Sequence, residues 1–291
     1  MSPDGEDVVA LEQASAVIAH SARTDVGRVR SVNEDAFLAE APVYLVADGM
    51  GGHARGDAAS RAVVETFRRH LAVGEPCTPE QVLDAIHSSN EAVRALSDEG
   101  DEGTAVAGTT LTGVVLVDAG DGAGFHWLAF NIGDSRIYAW DGRSLRQLSV
   151  DHSAVQELVD AGLLSPEDAE RHPDRNVITR AIGADDSVEP DLWLIPATGR
   201  QVFLLCSDGL SKEVDDETIA RVLAGGTGQA AGLAGELVDL ALEHGGRDNV
   251  TVVVVESALA VADDDSTRDR AVASEETTPR NEGGARGDLH D

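Results

Sequence analysis

Residues 45–57 read LVADGMGGHARGD: an apolar run ends on Asp48, and glycines follow at Gly49, Gly51 and Gly52. An Asp-Gly pair alone is typical of a tight turn, because both residues tolerate positive φ angles. The chain contains five such pairs, so this one needs support from the rest of the sequence. The apolar run predicts a buried strand, and the acid at its end is then the feature to explain.

The composition is that of a globular and strongly acidic protein. The 291 residues are 42% hydrophobic, and 53 acidic against 22 basic residues give a formal net charge of −31. Because nucleic acids and anionic membranes bind basic surfaces, this balance excludes them as expected partners. The chain has only two cysteines, and we expect their thiols to be reduced, as in the cytoplasm. No apolar run is long enough to span a membrane, so we expect a cytoplasmic protein. We expect a monomer.

We divide the chain into a flexible N-terminus at residues 1–12, a catalytic domain at residues 13–261 and an acidic tail at residues 262–291. The tail has only Val272 and Leu289 as sizeable apolar side chains. Such a segment buries too little apolar surface to offset its ordering entropy, so we expect it to be disordered.

Short runs of apolar and β-branched residues predict ten strands. They are expected at residues 17–22, 36–39, 43–47, 109–117, 125–132, 136–140, 177–181, 192–195, 202–206 and 250–256. Helices are predicted at residues 57–71, after the capping sequence at residues 78–81, and near residues 233–241. Asp141-Gly142 predicts a hairpin, and residues 153–171 predict a small helical insertion.

The order of these elements indicates the fold class. Strands follow one another in pairs and meanders instead of alternating strictly with helices, which favours antiparallel sheets with helices packed outside them. We therefore expect an α+β fold: a four-layer αββα sandwich of two antiparallel β-sheets flanked by helices, with a small helical flap insertion.

Four aspartates stand at the ends of predicted strands. Three of them, Asp48, Asp134 and Asp208, follow strands, whereas Asp248 precedes one. In an antiparallel sheet the start of one strand lies beside the end of its neighbour, so all four could share one edge. Crowded ionised carboxylates repel one another unless cations compensate their charge. This edge therefore predicts a metal site.

The expected donors are oxygen atoms, which indicates Mg²⁺ or Mn²⁺. Gly49 could offer its carbonyl oxygen, and two ions close together would suit cleavage of a phosphate ester by a metal-bridging hydroxide. Glu34 and Asp35 are adjacent and would point to opposite faces of a strand, so only one could face the site directly. The planar side chain of Arg30 could bind phosphate oxygens.

Eight sequence blocks occur in an order that is typical of one family. They are TDVGRVRSVNEDAF, VADGMGGHARGDAAS, GTTLTGVVL, NIGDSRIYAW, LSVDHS, NVITRAIG, FLLCSDGLSKEV and GGRDNVTVVVV. In these blocks the chain resembles the metal-dependent Ser/Thr protein phosphatases, also called type 2C or PPM, and their bacterial members in particular. The blocks extend from about residue 16 to residue 256, and the family has the αββα sandwich expected above. Residues 153–171 would correspond to the family's flap beside the active site.

The resemblance implies a role for each acid. Asp48 would bridge two ions, with the Gly49 carbonyl on one of them, and Asp208 and Asp248 would ligate the other ion. Asp134 would hold a third, weaker metal together with Asp208. Asp48, Asp208 and Asp248 are thus the predicted catalytic residues.

Other residues would act around the ions. The resemblance implies that Glu34 and Asp35 act through metal-bound water and that Arg30 binds the substrate phosphate. Met50 stands where some members have a histidine that is proposed to protonate the leaving oxygen. The general acid is therefore open between His53 and a water on the third metal held by Asp134, which we favour.

The predicted function is hydrolysis of phosphoserine and phosphothreonine monoesters in proteins, with Mn²⁺ or Mg²⁺ and without a phosphoenzyme intermediate. Phosphorylated proteins are the expected partners, including Ser/Thr kinases and their substrates. A hydrolase of small phosphate esters would use the same chemistry. The rates on a phosphopeptide and on a sugar phosphate distinguish the two.

Three other readings are weaker. Gly133-Asp134-Ser135 resembles an esterase signature that Asp288 and His290 could complete, but that pair lies in the expected disordered tail. The glycines match neither common nucleotide-binding pattern. A catalytically inactive relative would have lost a metal-binding acid, and none is missing.

Overall fold

The computed structural model describes residues 4–11, 14–51, 55–98, 107–120, 124–169, 171–226 and 230–261. The strands in these ranges are β1 (Asp4–Leu11), β2 (Ala14–Asp25), β3 (Asp35–Glu40), β4 (Val43–Met50), β5 (Gly108–Thr109), β6 (Leu111–Asp118), β7 (Phe125–Ile132), β8 (Arg136–Trp140), β9 (Leu145–Gln147), β10 (Asp191–Pro196), β11 (Arg200–Cys206) and β12 (Val250–Val261). The helices are α1 (Arg55–His70), α2 (Pro79–Asp98), α3 (Ala154–Asp160), α4 (Pro166–Ala169), α5 (Asp208–Ser211), α6 (Asp216–Gly225) and α7 (Leu233–His244).

The strands form two antiparallel sheets. One has the order β1-β2-β12-β11-β8-β9, and the other has the order β10-β7-β6-β4-β3, with β5 paired to β4. Helices α1 and α2 pack on the outer face of the second sheet, and α5, α6 and α7 pack against the first. The predicted αββα sandwich is therefore confirmed. Helices α3 and α4 lie within the predicted insertion.

The central strands are apolar on both faces because the sheets are covered on both sides there. In β4, Tyr44 and Val46 belong to the core between the sheets, whereas Leu45 packs on the helical side. The middle core is centred on aromatic side chains: Trp127 lies 6.3 Å from Tyr44 and 5.6 Å from Phe203 between ring centroids. Burial of each such side chain stabilises the fold by about 1.5–3 kcal/mol.

The prediction of a flexible N-terminus at residues 1–12 is wrong for the described part. Strand β1 pairs with β2 along its whole length, from Asp4 opposite Ser21 to Leu11 opposite Ala14. Val9 is fully buried between the sheets, and the Asp7 carboxylate accepts a hydrogen bond of 3.2 Å from the Tyr44 hydroxyl. The acidic composition of residues 4–7 is not typical of a strand, but backbone hydrogen bonds with β2 hold this segment at the edge of the sheet.

The strand predicted at residues 177–181 is also wrong. This segment is a loop with single bridges, from Ile178 to Ser153 and from Ile182 to Thr109. Strand β10, and not this segment, lies beside β7 at one edge of the second sheet. The predicted strand 109–117 is divided at Thr110, whose N–H donates to the Asp48 carbonyl at 2.9 Å.

Other features agree with the sequence. Asp141-Gly142 lies in the turn between β8 and β9, as predicted. The acidic tail at residues 262–291 lies outside the described residues, and the boundaries of the catalytic domain stay a prediction. None of the helices described here is both long and apolar enough to cross a membrane.

Candidate metal centre

Asp48 stands at the end of β4, where its backbone is held on two sides. Its N–H donates to the Thr110 hydroxyl at 2.9 Å, and its carbonyl accepts from the Thr109 hydroxyl at 2.9 Å. Asp48 lies directly opposite Asp35 in the β3–β4 pair. Both follow the alternation of the residues that face the gap between the sheets, so the two carboxylates stand at the open end of the middle layer.

Gly49 is required by close packing. A β-carbon at this position would lie 2.5 Å from the Glu34 carbonyl oxygen and closer still to that of Gly56. The Gly49 N–H donates to the Glu34 carbonyl at 3.1 Å. Any larger residue would therefore push the end of β4 away from the start of α1 and displace the neighbouring acid.

Asp35 is a buried carboxylate that is only partly compensated. Its Oδ2 accepts hydrogen bonds from Ser207 Oγ at 2.8 Å and Thr251 Oγ1 at 2.7 Å. Its Oδ1 has no partner among the described residues. Burial and the negative charges of Asp208 and Asp248 raise the pKa of Asp35 to about 7, against the lowering effect of the two hydroxyl donors.

Asp134 follows β7 through Gly133, whose φ of +104° favours glycine. Burial and the charge of Asp208 raise the pKa of Asp134 to about 7. The next residue, Ser135, is fully buried, with its Oγ 2.7 Å from Thr110 Oγ1. Ser135 is thus inaccessible as a nucleophile, which argues against the esterase reading.

Asp208 and Asp248 are each paired with a cation of the protein. Lys212 Nζ contacts Asp208 Oδ2, and Arg30 Nη2 donates to Asp248 Oδ2 at 2.8 Å. Although burial lowers the pKa of Arg30, the adjacent charge of Asp248 raises it overall. The other oxygen of Asp208, Oδ1, has no partner in the described part of the chain.

The five aspartates form one electrostatic site. Burial raises the pKa of Asp48 well above its ordinary value, and the charges of Asp35, Asp208, Asp134 and Asp248 raise it further. Carboxylates repel in this way only when they are close together. The four acids that the sequence placed at strand ends thus belong to one group of interacting carboxylates, and their role in binding metal stays a prediction.

Three of the five aspartates, Asp48, Asp208 and Asp248, line a cavity of about 520 Å³. Its lining is Arg30, Glu34, Asp48, Gly49, Met50, Gly51, Asn176, Ile178, Asp208, Lys212, Asp248 and Asn249. Asp35 and Asp134 lie outside this lining, and His53 lies outside the described residues. Glu34, and not Asp35, is thus the member of the adjacent pair that faces the cavity.

The donor chemistry fits a hard divalent cation. The site offers carboxylate and carbonyl oxygens, and Asp35, Asp134 and Asp208 each keep a buried oxygen without a partner in the described ranges. Among the described residues, no three His, Cys, Asp or Glu side chains are arranged so that they could together hold a metal ion. Arg30 contacts an oxygen of Asp248, and Lys212 contacts an oxygen of Asp208.

Two residues of the site, Asn249 and Lys212, were not predicted as site residues from the sequence. Asn249 accepts from the Glu34 N–H at 2.9 Å and donates to the carbonyls of Val26 and Val32 at 2.9 Å each, so it fixes the loop that carries Arg30. Lys212 is the only lysine of the chain. Its position four residues after Asp208 is a spacing that brings side chains together on a helical turn, and this signal was available in the sequence.

Comparisons with known proteins agree with this architecture. Residues 27–232 match the family model described as Protein phosphatase 2C. The serine/threonine protein phosphatase PstP of Mycobacterium tuberculosis is 40% identical over 248 residues, which are 84% of this chain and 46% of that protein. The serine/threonine phosphatase stp of Listeria monocytogenes is 34% identical over 249 residues, which are 81% of this chain and 95% of that protein.

A solved structure connects the same fold to metal ions. The catalytic domain of PstP in complex with two manganese ions is 37% identical, with a TM-score of 0.69 over 84% of this chain and 99% of that one. An αββα sandwich with acids converging at one edge is the architecture that the sequence resemblance predicts. The chain belongs to the protein phosphatase 2C family. It spans about half the length of the curated mycobacterial relative that it matches.

Proposed function

We propose that this chain is a metal-dependent protein phosphatase that hydrolyses phosphoserine and phosphothreonine in proteins. The observation that carries the proposal is the convergence of five aspartates beside a cavity of about 520 Å³ that also contains Arg30. Such a concentration of negative charge would repel a phosphate ester unless cations are bound, and the phosphate then has both the cations and an arginine to bind.

We propose that Asp48 and the Gly49 carbonyl hold one ion and that Asp48, Asp208 and Asp248 hold a second. Asp134 and Asp208 would hold a third ion more weakly, and Glu34 and Asp35 would act through water. When bound, Mn²⁺ or Mg²⁺ would neutralise the phosphoryl oxygens and lower the pKa of water. The protein's own contribution is to keep the acids fixed, through the threonine contacts of Asp48 and the hydroxyl donors of Asp35.

Arg30 binds and orients the substrate phosphate. Its side chain is about half exposed and lines the cavity, and only one of its terminal nitrogens is used by Asp248. The remaining guanidinium N–H groups are free to donate to phosphate oxygens in the planar geometry that favours two parallel hydrogen bonds.

The leaving serine or threonine oxygen takes its proton from a water held by Asp134. Met50 lines the cavity at the position where the family's histidine would stand, and its thioether has no transferable proton. A water on the Asp134 side of the site supplies this proton without requiring another side chain.

The expected substrates are phosphorylated proteins, including Ser/Thr kinases and their targets, and a cytoplasmic location is part of the proposal. The relatives named above are serine/threonine phosphatases, which supports the substrate class. Cys77 and Cys206 are both buried free thiols, which is typical of proteins in a reducing compartment.

Phosphate release tests the proposal. The purified chain should release phosphate from a phosphothreonine peptide with Mn²⁺ or Mg²⁺ and should lose this activity with excess chelator. A sugar phosphate assayed in parallel should react more slowly; a faster reaction would favour the small-ester hydrolase. Equal release with and without chelator, or no release with either metal, would contradict the proposal.

A further inference from the structure

Lys212 lies inside the acidic site and not at its rim. It ends the short helix α5, which begins at Asp208, and its backbone N–H donates to the Asp208 carbonyl at 2.9 Å. Its ammonium group contacts Asp208 Oδ2, and its side chain, which is 37% exposed, lines the cavity with Asp48. The side chain therefore reaches both the acids and solvent.

Lys212 offsets the charge of several acids. Burial alone would lower the pKa of Lys212, but Asp208, Asp134 and Asp48 raise it overall. Conversely, the charge of Lys212 opposes the upward shift in the pKa of Asp134. One ammonium group thus interacts with three of the carboxylates that repel one another.

The ammonium group and a divalent cation cannot both occupy the same carboxylate without repulsion. A metal ion could bind the other oxygen of Asp208, Oδ1, which has no partner among the described residues, but it would repel Lys212 Nζ at Oδ2 and so favour its displacement. The four-carbon side chain is flexible and partly exposed, so it can move into solvent when this happens. The free energy of that displacement is subtracted from the free energy of metal binding.

We infer that Lys212 is an internal counter-ion of the acidic site, which competes with divalent cations for Asp208 and thereby lowers the metal affinity of the protein. The inference rests on the metal site of the proposed function. When no metal is bound, the positive charge of Lys212 takes over part of the role of the metal ions. It therefore stabilises the metal-free protein and weakens metal binding.

Calorimetric titration with Mn²⁺ tests this inference on the full chain, with thermal unfolding as a second readout. Lys212→Met and Lys212→Gln remove the charge, whereas Lys212→Arg keeps it. Arg221→Met is the matched control, because Arg221 on α6 is 66% exposed, pairs with Glu217 and also carries one positive charge. It does not line the cavity.

The neutral variants should bind Mn²⁺ with a Kd lowered roughly ten-fold, which corresponds to about 1.4 kcal/mol. The Kd for Mn²⁺ of Lys212→Arg and of Arg221→Met should stay within about two-fold of the wild-type value. Lys212→Arg keeps the positive charge beside Asp208, and Arg221→Met changes only the net charge of the protein. In chelator, Lys212→Met should unfold at a lower temperature than wild type, and saturating Mn²⁺ should remove that difference.

Two results would overturn the inference. One is an unchanged Kd in both neutral variants; the other is an equal gain in affinity for Arg221→Met, which would reduce the effect to net charge. Phosphate release measured on the same samples separates the two proposals. A neutral variant that hydrolyses phosphopeptide with unchanged Mn²⁺ affinity contradicts this inference alone, whereas Mn²⁺ binding without hydrolysis contradicts the proposed function alone.

Discussion

Asp35 and Asp48 stand directly opposite each other in the antiparallel pair of β3 and β4. Like charges at directly opposed positions destabilise a sheet. Here each carboxylate also lies in a buried environment that raises its pKa. Asp35 and Asp48 therefore lower the stability of the metal-free fold at the point where the cavity begins. We interpret this destabilising pair as part of a site that binds cations.

Replacing Asp48 with asparagine tests this interpretation. The substitution removes one of the mutually repelling charges and keeps the shape of the side chain. Activity should fall by roughly 10³-fold or more, and Mn²⁺ binding should weaken. The metal-free variant should unfold at a higher temperature than wild type, because the repulsion is relieved. Full activity, or unchanged Mn²⁺ affinity, would contradict the role of Asp48.

The hydroxyl donors of Asp35 give a prediction about stability. Thr251→Val keeps the shape of the side chain but removes one of the two hydrogen bonds to Asp35 Oδ2. Leaving a buried carboxylate less satisfied should lower the free energy of unfolding by about 1–3 kcal/mol, as measured by urea denaturation in chelator.

Thr112→Val is the matched control for that measurement. Thr112 is also fully buried, but its hydroxyl has no hydrogen-bond partner among the described residues. The same substitution there should be neutral or slightly stabilising. An equal loss in the free energy of unfolding in both variants would show that the hydrogen bond from the Thr251 hydroxyl to Asp35 does not stabilise the fold.

Arg30→Ala should act mainly on substrate binding. Loss of the phosphate-binding guanidinium should raise KM for a phosphopeptide roughly ten-fold, with a much smaller change in kcat. Arg28→Ala, two residues earlier in the same loop, is the control, because Arg28 does not line the cavity. If KM were unchanged in Arg30→Ala, or were raised equally in both variants, the role of Arg30 would be wrong.

His152 predicts a pH dependence of stability. Gly133 N–H donates to Nδ1 of this buried histidine at 3.0 Å, so Nδ1 must be unprotonated. Burial and the charge of Arg180 lower its pKa below 6.5, although Asp191 opposes the shift. The unfolded chain therefore binds a proton more readily than the folded one, and stability falls as pH decreases below about 6.5.

Substitution of His152 isolates this contribution. Between about pH 7.5 and about pH 5.5, wild type should lose more free energy of unfolding than His152→Asn, as measured by urea denaturation at each pH. His87→Asn is the control, because His87 is exposed on α2. If wild type and His152→Asn showed the same change with pH, the folded protein would not exclude the proton from His152.

Much of the fold could be predicted because its strands are short apolar runs with clear ends. Strands β7 and β8 have the bounds that were expected, and β4 was extended only at its acidic end. Strand β1 could not be found in this way, because it begins with three acids and a glycine at residues 4–7, a composition that resembles a flexible terminus. Residues 177–181 contain β-branched residues that are typical of strands, but the segment is a loop with a single bridge at Ile178.

The strand-end acids and Arg30 were predicted from the sequence, whereas Asn249 and Lys212 were not. Asp48, Asp134, Asp208 and Asp248 all stand where strand ends indicated, since antiparallel pairing brings such ends to one edge. The role of Asn249 depends on contacts with segments that are distant in the chain. The position of Lys212 four residues after Asp208 was visible in the sequence, but helix α5 is too short to be recognised from periodicity.

Anomalous diffraction from a crystal grown with Mn²⁺ tests the central claim most directly, because it locates the ions independently of activity. We predict two manganese peaks at the mouth of the cavity, with Asp48 between them and Asp208 and Asp248 on one of them. A crystal of the active protein without manganese at these carboxylates would contradict the account.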